Sequence, residues 1–538
     1  MIYPCKALEK TRELSLVANS NPGSLMSVEA VLHSRFRLSS FRKGQREIIE
    51  SVLAGRDALA VLPTGGGKSL CYQLPAIVRE KLVVVISPLI ALMKDQVASL
   101  ERYSIPAGCL HSGQSEGEKR DVFLRMQKGG PFVLYLSPER AQKEGFQRWI
   151  MDKQIALFAV DEAHCVSQWG HDFREEYSQL KILKELRPDV PVLALTASAT
   201  PLVLADVSRH LGMQSPVRHV HGFYRPNLYY QVETCADEED KQARIAQALR
   251  QTPEGRVLIY CGTRRATEEI AASLGREFAA VGFYHAGMTG EDRTLTQEAY
   301  GKGNVRILVA TNAFGMGIDH PDVRLVVHYQ MPANIDALYQ EMGRAGRDGH
   351  RSTCLMLYAK KDKGLQSFFI MQSDAPDPIK RSRWNTLDAL VNYAEAGECR
   401  HAGILTYYQD SQRIESCGHC DVCDPASASR IASPLRSAAI AAASSKKRKS
   451  RDRKAAAIVA EEAFDGVQKL RFAGLKEWRR AKAKELDVAA FMVFSDKTLR
   501  QLAVENPSSK DELRGVYGIG DTKLEAFGAE LLERLASL

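Results

Sequence analysis

The sequence predicts a multidomain α/β protein: two parallel-sheet α/β domains in tandem, a helical cysteine-bearing segment, and a small all-α unit at the C-terminus. Three observations carry this. Two series of short apolar runs alternate with helical patterns, the rhythm of βαβ units. Four of the 11 cysteines fall within residues 399–423. A basic stretch rich in small residues then interrupts the chain before helical periodicity resumes near 465. At 538 residues the chain is also too long for one core.

Residues 1–26 form an N-terminal extension without the charged-then-apolar pattern of an export signal. The first domain, 27–215, holds the apolar runs "DALAVLP", "LVVVISP", "FVLYLSP", "LFAVDEAH" and "PVLALTA". They are rich in Val, Leu and Ile, as strands buried on both faces are. The second domain, 216–360, holds "RVLIYCG", "AAVGFYHAG", "VRILVATN", "RLVVHYQMP" and "STCLMLY". A helical segment follows over 361–424, a linker over 425–464 and the helical unit over 465–538. Hydrophobic content of 45% and charged content of 26% are ordinary for a globular protein. No run approaches the roughly 20 apolar residues of a membrane span, so no membrane partner is expected.

Net charge is +8, and residues 425–454 alone hold nine Lys/Arg against one Asp. The rest of the chain is balanced. Such a run is either a solvated tether or a loose attractor of nucleic-acid phosphates, and the two are compatible.

"LPTGGGKSL" (62–70) lies after a strand and before a helix. Its glycines let backbone N–H groups turn toward phosphate oxygens, Lys68 can reach the β/γ-phosphates, and the Ser69 hydroxyl can hold Mg²⁺. Leu62 stands where the strict phosphate-loop spacing has Gly. "DEAH" ends a later strand. There Asp161 can hold Mg²⁺ and Glu162 can orient or deprotonate the attacking water. In "YQEMGRAGRDG" (339–349) Arg344 and Arg347 are three apart, which predicts neighbouring positions on one helical face. Arginines from a second domain can neutralise a transferring γ-phosphoryl group. A surface salt-bridge cluster is the plainer alternative. ATP is therefore the expected nucleotide.

Behind the acid pair runs "CVSQWGHDFREEY". Bases of single-stranded DNA stack on Trp and Phe without sequence preference, and Arg174 can contact a phosphate or a base edge. Core packing of Trp169 and Phe173 is the alternative, which the polar, Gly-broken run disfavours. Cys399 followed by Cys417, Cys420 and Cys423 offers four thiolates for a closed, structural Zn²⁺ site. His401 and His419 are competing ligands.

In this order these motifs resemble a superfamily 2 helicase, and in detail the RecQ DNA helicases. "FRKGQ", "TGGGKSLCYQLP", "SPLIALMKDQ", "YLSPER", "DEAHCVSQWGHDFR", "LTASAT", "ATNAFGMGIDHPDVR" and "GRAGRDG" are similar to successive motifs of that family over about residues 27–424. Arg37, Ser198 and Met342 depart from its usual residues. The resemblance implies RecA-like folds for both α/β domains and catalytic roles for Lys68, Asp161, Glu162, His164, Gln340, Arg344 and Arg347. It implies nucleotide contacts from Arg42, Gln45 (reading adenine), Pro63, Thr64, Gly65, Gly66, Gly67, Lys68 and Ser69. DNA contacts would come from Ser167, Trp169, Phe173 and Arg174, in a loop that couples DNA binding to hydrolysis. The cysteine segment resembles the family's zinc-binding subdomain and residues 465–538 an HRDC domain, with "GIGDTK" able to present N–H groups to DNA. The Ala/Ser/Arg/Lys-rich stretch 425–464 cannot form the winged-helix domain of longer members.

The implied activity is ATP-driven 3′→5′ unwinding of DNA in recombination and repair. Single-strand-binding protein and other repair factors would be partners. The location would be the bacterial cytoplasm at the nucleoid, or the nucleus in a eukaryote. Two other classes stand beside it: a translocase or RNA remodeller with little DNA unwinding, and a non-catalytic scaffold.

Overall fold

The computed structural model describes residues 27–167, 169, 173–315, 320–434, 464–486 and 490–538. The expected extension 1–26 and linker residues 435–463 lie outside the described residues.

The first sheet contains β1 Ala58–Val61, β2 Leu82–Ile86, β3 Ala107–Leu110, β4 Phe132–Leu136, β5 Ile155–Val160, β6 Val192–Thr196 and β7 Val217–Val220, in the order β3-β4-β2-β5-β6-β1-β7. The second contains β8 Leu228–Thr234, β9 Arg256–Tyr260, β10 Val281–Tyr284, β11 Ile307–Ala310, β12 Val323–His328 and β13 Ser352–Tyr358, in the order β10-β11-β9-β12-β13-β8. Every pairing is parallel. Helices cover both faces, so β1, β2, β4 and β6 are buried at every residue.

Three strands escape the apolar-run reading for physical reasons. β3, "AGCL", has one large aliphatic residue. β7, "VRHV", is an edge strand and carries charge. β8, "LYYQVET", is also an edge and turns polar toward its end. β7 pairs with β1, which corrects the boundary expected at 215: the first sheet ends at Val220.

The segment between the sheets is clasped by the cysteine-bearing subdomain. Phe223 stacks on Tyr408 at 4.1 Å and 17°, and its N–H donates to Asp410 at 2.9 Å. Tyr407 and Tyr408 donate to Asp336 at 3.2 and 3.0 Å. That subdomain consists of helices Lys360–Gln372, Asp377–Glu395 and Arg400–Tyr407 and a cysteine loop. The loop meets edge strand β8 through a bridge between Tyr230 and Cys420.

Residues 425–434 are not the tether expected there. Ile431 is buried and exchanges two hydrogen bonds with the Gln231 amide, at 2.8 and 2.9 Å. Arg430 pairs with Glu233 at 2.7 Å. This stretch covers the open edge that a terminal strand leaves.

The C-terminal unit is all-α, from helix Gly466–Glu485 to helix Asp521–Ser537. It has its own core around Leu475, Phe494, Leu499, Leu502 and Leu531. It docks on helix Asp377–Glu395. Phe491 meets the Tyr393 ring at 5.5 Å. Arg479, fully buried, bridges Glu398 at 2.8 Å and Asp496 at 2.7 Å. Glu395 accepts from Tyr358 at 2.9 Å, from Tyr517 at 3.3 Å and from Lys497 at 3.5 Å. Among the described residues no helix is long and apolar enough to cross a membrane.

Candidate nucleotide and nucleic-acid site

The strand ends build the site. Loops leaving the carboxyl ends of β1, β5 and β6 converge, as expected of a parallel sheet. After β1 the chain turns with Gly65 at φ +76° and Gly67 at φ +75°, values that a side chain resists. At Gly66 a Cβ would stand 2.8 Å from the Pro63 carbonyl oxygen. Helix Lys68–Arg79 then begins without a side-chain cap, leaving its first N–H groups and positive dipole end toward the cleft.

Pro63, Thr64, Gly65, Gly67, Lys68 and Ser69 line one wall of a cleft of about 650 Å³; Asp161, Glu162 and His164 stand beside them, and Gln340, Arg344 and Arg347 line the opposite wall. Lys68 Nζ lies 3.9 Å from Glu162 Oε1. Asp161 accepts the Glu162 N–H at 3.0 Å. Burial, then the adjacent Glu162 charge, pushes its carboxyl up to about 6, against the pull of Lys68. His164 Nδ1 sits 2.8 Å from the Thr196 hydroxyl and 3.3 Å from Glu162 Oε2, tying the acid pair to the loop after β6. Across the cleft, Gln340 Nε2 donates to Ser198 Oγ at 3.1 Å, a direct bond between the two lobes.

Arg344 and Arg347 do not share a helical face as expected. Helix Ile335–Met342 ends before them, and both lie in the turns that follow. The glycines in "GRAGRDG" stop the helix, and close packing finishes the arrangement. A Cβ at Gly343 would overlap the Thr64 hydroxyl, and the Arg347 stem rests over Gly65. Arg344 donates to the Gly315 carbonyl. Among the described residues the buried Thr64 Oγ1 and Arg344 Nε find no hydrogen-bond partner. An unmatched hydroxyl and guanidinium N–H beside Lys68 fit a polyphosphate.

Gln45, for which a contact to adenine is expected, also bonds the chain around the loop. Its Oε1 accepts the Arg42 N–H at 2.7 Å, and its Nε2 donates to the Gly67 carbonyl at 2.9 Å and the Gly66 carbonyl at 3.3 Å. With its amide engaged at both ends it braces the phosphate loop from behind, and Arg42 does likewise by donating to the Gly65 carbonyl.

The aromatic-rich loop is rooted at both of its ends, on Asp206 and on the Asp161 backbone. Gln168 and residues 170–172 are outside the described residues. Ser167 is corrected: it is fully buried and donates to Asp206 at 2.7 Å, so it anchors the loop and does not face a strand of DNA. Trp169 is half-buried against the main apolar cluster, yet it also lines a recess with Phe369 and Arg383. Phe173 is 37% exposed. Arg174 reaches the Pro88 carbonyl at 3.4 Å. Tyr177, which the motif reading passed over, is fully buried and donates to the Asp161 carbonyl at 3.2 Å. Its place at the end of the same motif was the only signal in the sequence.

Cys399, Cys417, Cys420 and Cys423 bring their sulfurs within 4.8 Å of one another. A tetrahedral Zn²⁺ with roughly 2.3 Å bonds sets its sulfurs about 3.8 Å apart, so the four residues fit. Hydrogen bonds from Cys399 and then Cys417 hold the Cys420 thiol far below its ordinary range, the sharing of one thiolate among thiols that a metal would replace. His401 and His419 approach Cys417 as a second possible set, but His401 stacks on Tyr230 at 4.1 Å and 5°, which serves packing. Arg400 pairs with Asp421 through two bonds, at 2.9 and 3.1 Å, and Asp421 accepts the Val232 N–H at 2.9 Å.

Comparison with known proteins accords with this geometry. Residues 42–207 match the DEAD/DEAH box helicase family, 240–349 the helicase conserved C-terminal domain, 360–424 the RecQ zinc-binding family and 468–535 the HRDC domain. The chain is 40% identical over 397 residues to the ATP-dependent DNA helicase RecQ of Pasteurella multocida, covering 73% of this chain and 62% of that relative. It is thus similar to less than two thirds of that protein's length. The RecQ of Bacillus subtilis is 31% identical over 589 residues, covering 95% of this chain and 98% of the relative. Among solved structures, yeast Dbp5 aligns with a TM-score of 0.52 at 17% identity, covering 68% of this chain and 97% of that one. The helicase MrfA aligns with 0.51 at 18%, covering 70% and 57%. At these identities the likeness concerns the fold.

Proposed function

The chain belongs to the RecQ family of superfamily 2 helicases, and from that premise we propose that it is an ATP-dependent DNA helicase. The observation that carries the reading is the two-walled cleft, with Lys68, Asp161 and Glu162 on one lobe and Gln340, Arg344 and Arg347 on the other. Hydrolysis then requires closure, and closure once per ATP is a motor stroke. The phosphate-loop N–H groups and Lys68 hold the polyphosphate. Ser69 and the Asp161 carboxylate are the residues that would hold Mg²⁺, which when bound neutralises phosphate charge. Glu162 orients the attacking water and accepts its proton. Arg344 and Arg347 stabilise charge on the γ-phosphoryl as the lobes meet.

Trp169, Phe173 and Arg174 receive the single strand, and the loop's roots at Ser167 and Tyr177 carry its movement to Asp161. The four cysteines hold zinc as a structural clasp on the interlobe segment. Polarity of 3′→5′, action in recombination and repair, and partners such as single-strand-binding protein follow from family membership. So does a place with the nucleoid in a bacterial cytoplasm, or in the nucleus of a eukaryote. The domain division proposed is 27–220, 228–358, 360–434 and 464–538.

The test is ATPase stimulation by single-stranded DNA against RNA, with strand displacement on 3′-tailed and 5′-tailed duplexes. DNA-selective stimulation and displacement of the 3′-tailed substrate are expected. Stimulation by RNA alone, or stimulation without displacement, would overturn the DNA helicase reading.

A further inference from the structure

Helix Lys360–Gln372 presents a surface that neither the cleft nor the cysteine loop uses. Phe368, Phe369 and Met371 are 56%, 43% and 68% exposed, and the two rings lie 6.0 Å apart and tilted by 59°. Adjacent aromatic rings left in water on a regular helix mark an interaction site. The neighbouring helix Asp377–Glu395 contributes Lys380, Arg381 and Arg383, for which no carboxylate partner is found among the described residues. Phe369 and Arg383 also form one side of a recess of about 200 Å³, whose other side includes Trp169 from the first lobe. That is smaller than the roughly 300–1,000 Å³ of small-molecule sites, and suits one ring better than a whole ligand.

Unneutralised cations interleaved with exposed rings are what a single nucleic-acid strand needs, phosphates on the cations and base faces on the rings. Phe, Met and Arg also suit a protein interface, where Lys is depleted; a contact between proteins is therefore an outcome of the test below. Paired bases inside a duplex cannot turn their faces to a ring without unstacking. We propose that the joined face of helices Lys360–Gln372 and Asp377–Glu395 is a second stacking surface for single-stranded DNA, continuing the strand's path from Trp169. Bases rest on Phe368 and Phe369, and phosphates on Lys380 and Arg383, which are three apart and so neighbours on one helical face. Trp169 comes from the first lobe and Phe369 from the cysteine-bearing subdomain, with Ala333 and Asn334 of the second lobe beside them, so the grip between Trp169 and Phe369 changes as the cleft opens and closes. This rests on the DNA helicase reading.

The experiment uses the full chain, fluorescein-labelled oligodeoxythymidine and ATPase assays across a salt series. In F368A/F369A, affinity for the oligonucleotide should fall by roughly 5- to 150-fold for each base that no longer stacks. DNA-free ATP turnover and the salt dependence of binding should be unchanged. F368W/F369W should bind as tightly as wild type, while F368L/F369L, which keeps apolar area without rings, should stay weak. K380A/R383A should make the salt dependence shallower, the slope falling by about one for each phosphate left unbound. If wild type answers DNA with ATP turnover and F368A/F369A binds as wild type does, this surface is refuted and the helicase reading stands. If wild type ignores DNA, both fall. If F368A/F369A changes only the mass measured by light scattering, the rings are a contact between copies of the chain and the proposal is wrong.

Discussion

Asp161 and Glu162 are adjacent carboxylates in unlike surroundings, and the difference is measurable. The folded-state carboxyl of Asp161 titrates near 6 against an ordinary 3.8. The folded chain therefore holds an extra proton between those values. That contribution to stability is fully present below the ordinary carboxylate range and is lost as pH rises through about 6. D161N should remove the cost of the buried charge and raise the melting temperature of nucleotide-free protein at pH 7.5, while abolishing turnover. Calorimetry and an ATPase assay check both halves; a lowered melting temperature would contradict the burial argument. K68A should cut ATP turnover by roughly 100-fold or more, the scale of losing one charge-stabilising donor, while DNA binding by anisotropy persists, since Lys68 faces the cleft. Lys68, Asp161 and Glu162 were legible as motif residues. The bracing of the loop by Gln45 was not, because nothing local tells which loop carbonyls an amide will meet.

At the scale of elements, the aromatic-rich loop and the cysteine loop are both held at their roots. W169A leaves Lys68, Asp161 and Glu162 intact, so its DNA-free ATPase should match wild type. Removing one stacking platform costs roughly 1–3 kcal/mol. If Trp169 only gripped the strand, saturating DNA would restore the plateau rate; with Ser167 and Tyr177 tying the loop to helix Pro201–His210 and to Asp161, the plateau itself should fall. The ATPase rate against DNA concentration decides between these. A drop in basal rate would instead favour packing as the role of Trp169. Purified protein should carry one zinc per chain by metal analysis, and C420S should reduce soluble yield more than it changes turnover per folded molecule. Stretches such as β2 and β9 were readable because burial on both faces demands unbroken apolar runs. β7 and β8 were not, because an edge strand has one side open to polar company.

The whole molecule is joined by contacts between units distant in sequence. The clasp of Phe223 by Tyr408 and Asp410 ties the zinc-binding subdomain to the segment between the two lobes. Arg479, fully buried between half-buried Glu398 and buried Asp496, fixes the C-terminal domain to the turn after helix Asp377–Glu395. R479A would leave Asp496 buried without its cation and Glu398 half-buried without it, a loss toward the lower end of about 3–5 kcal/mol. It should release the C-terminal domain, seen as faster proteolysis between 434 and 464 and a larger radius of gyration by small-angle scattering. An unchanged digestion pattern would mean that the apolar contact of Phe491 with Tyr393 suffices.

The sequence by itself determined the two α/β lobes, the phosphate loop, the acid pair and the cysteine ligands. Each of these depends on short-range pattern: apolar runs, glycines before a Lys-Ser pair, carboxylates at a strand end, thiols at fixed spacing. Only the tertiary structure decided that Ser167 is an anchor, that Arg344 and Arg347 approach from turns and not along a helix, that residues 425–434 seal a sheet edge, and that the C-terminal domain is docked. Those outcomes depend on which distant surface each side chain meets, and burial between remote segments leaves no periodic trace in the chain.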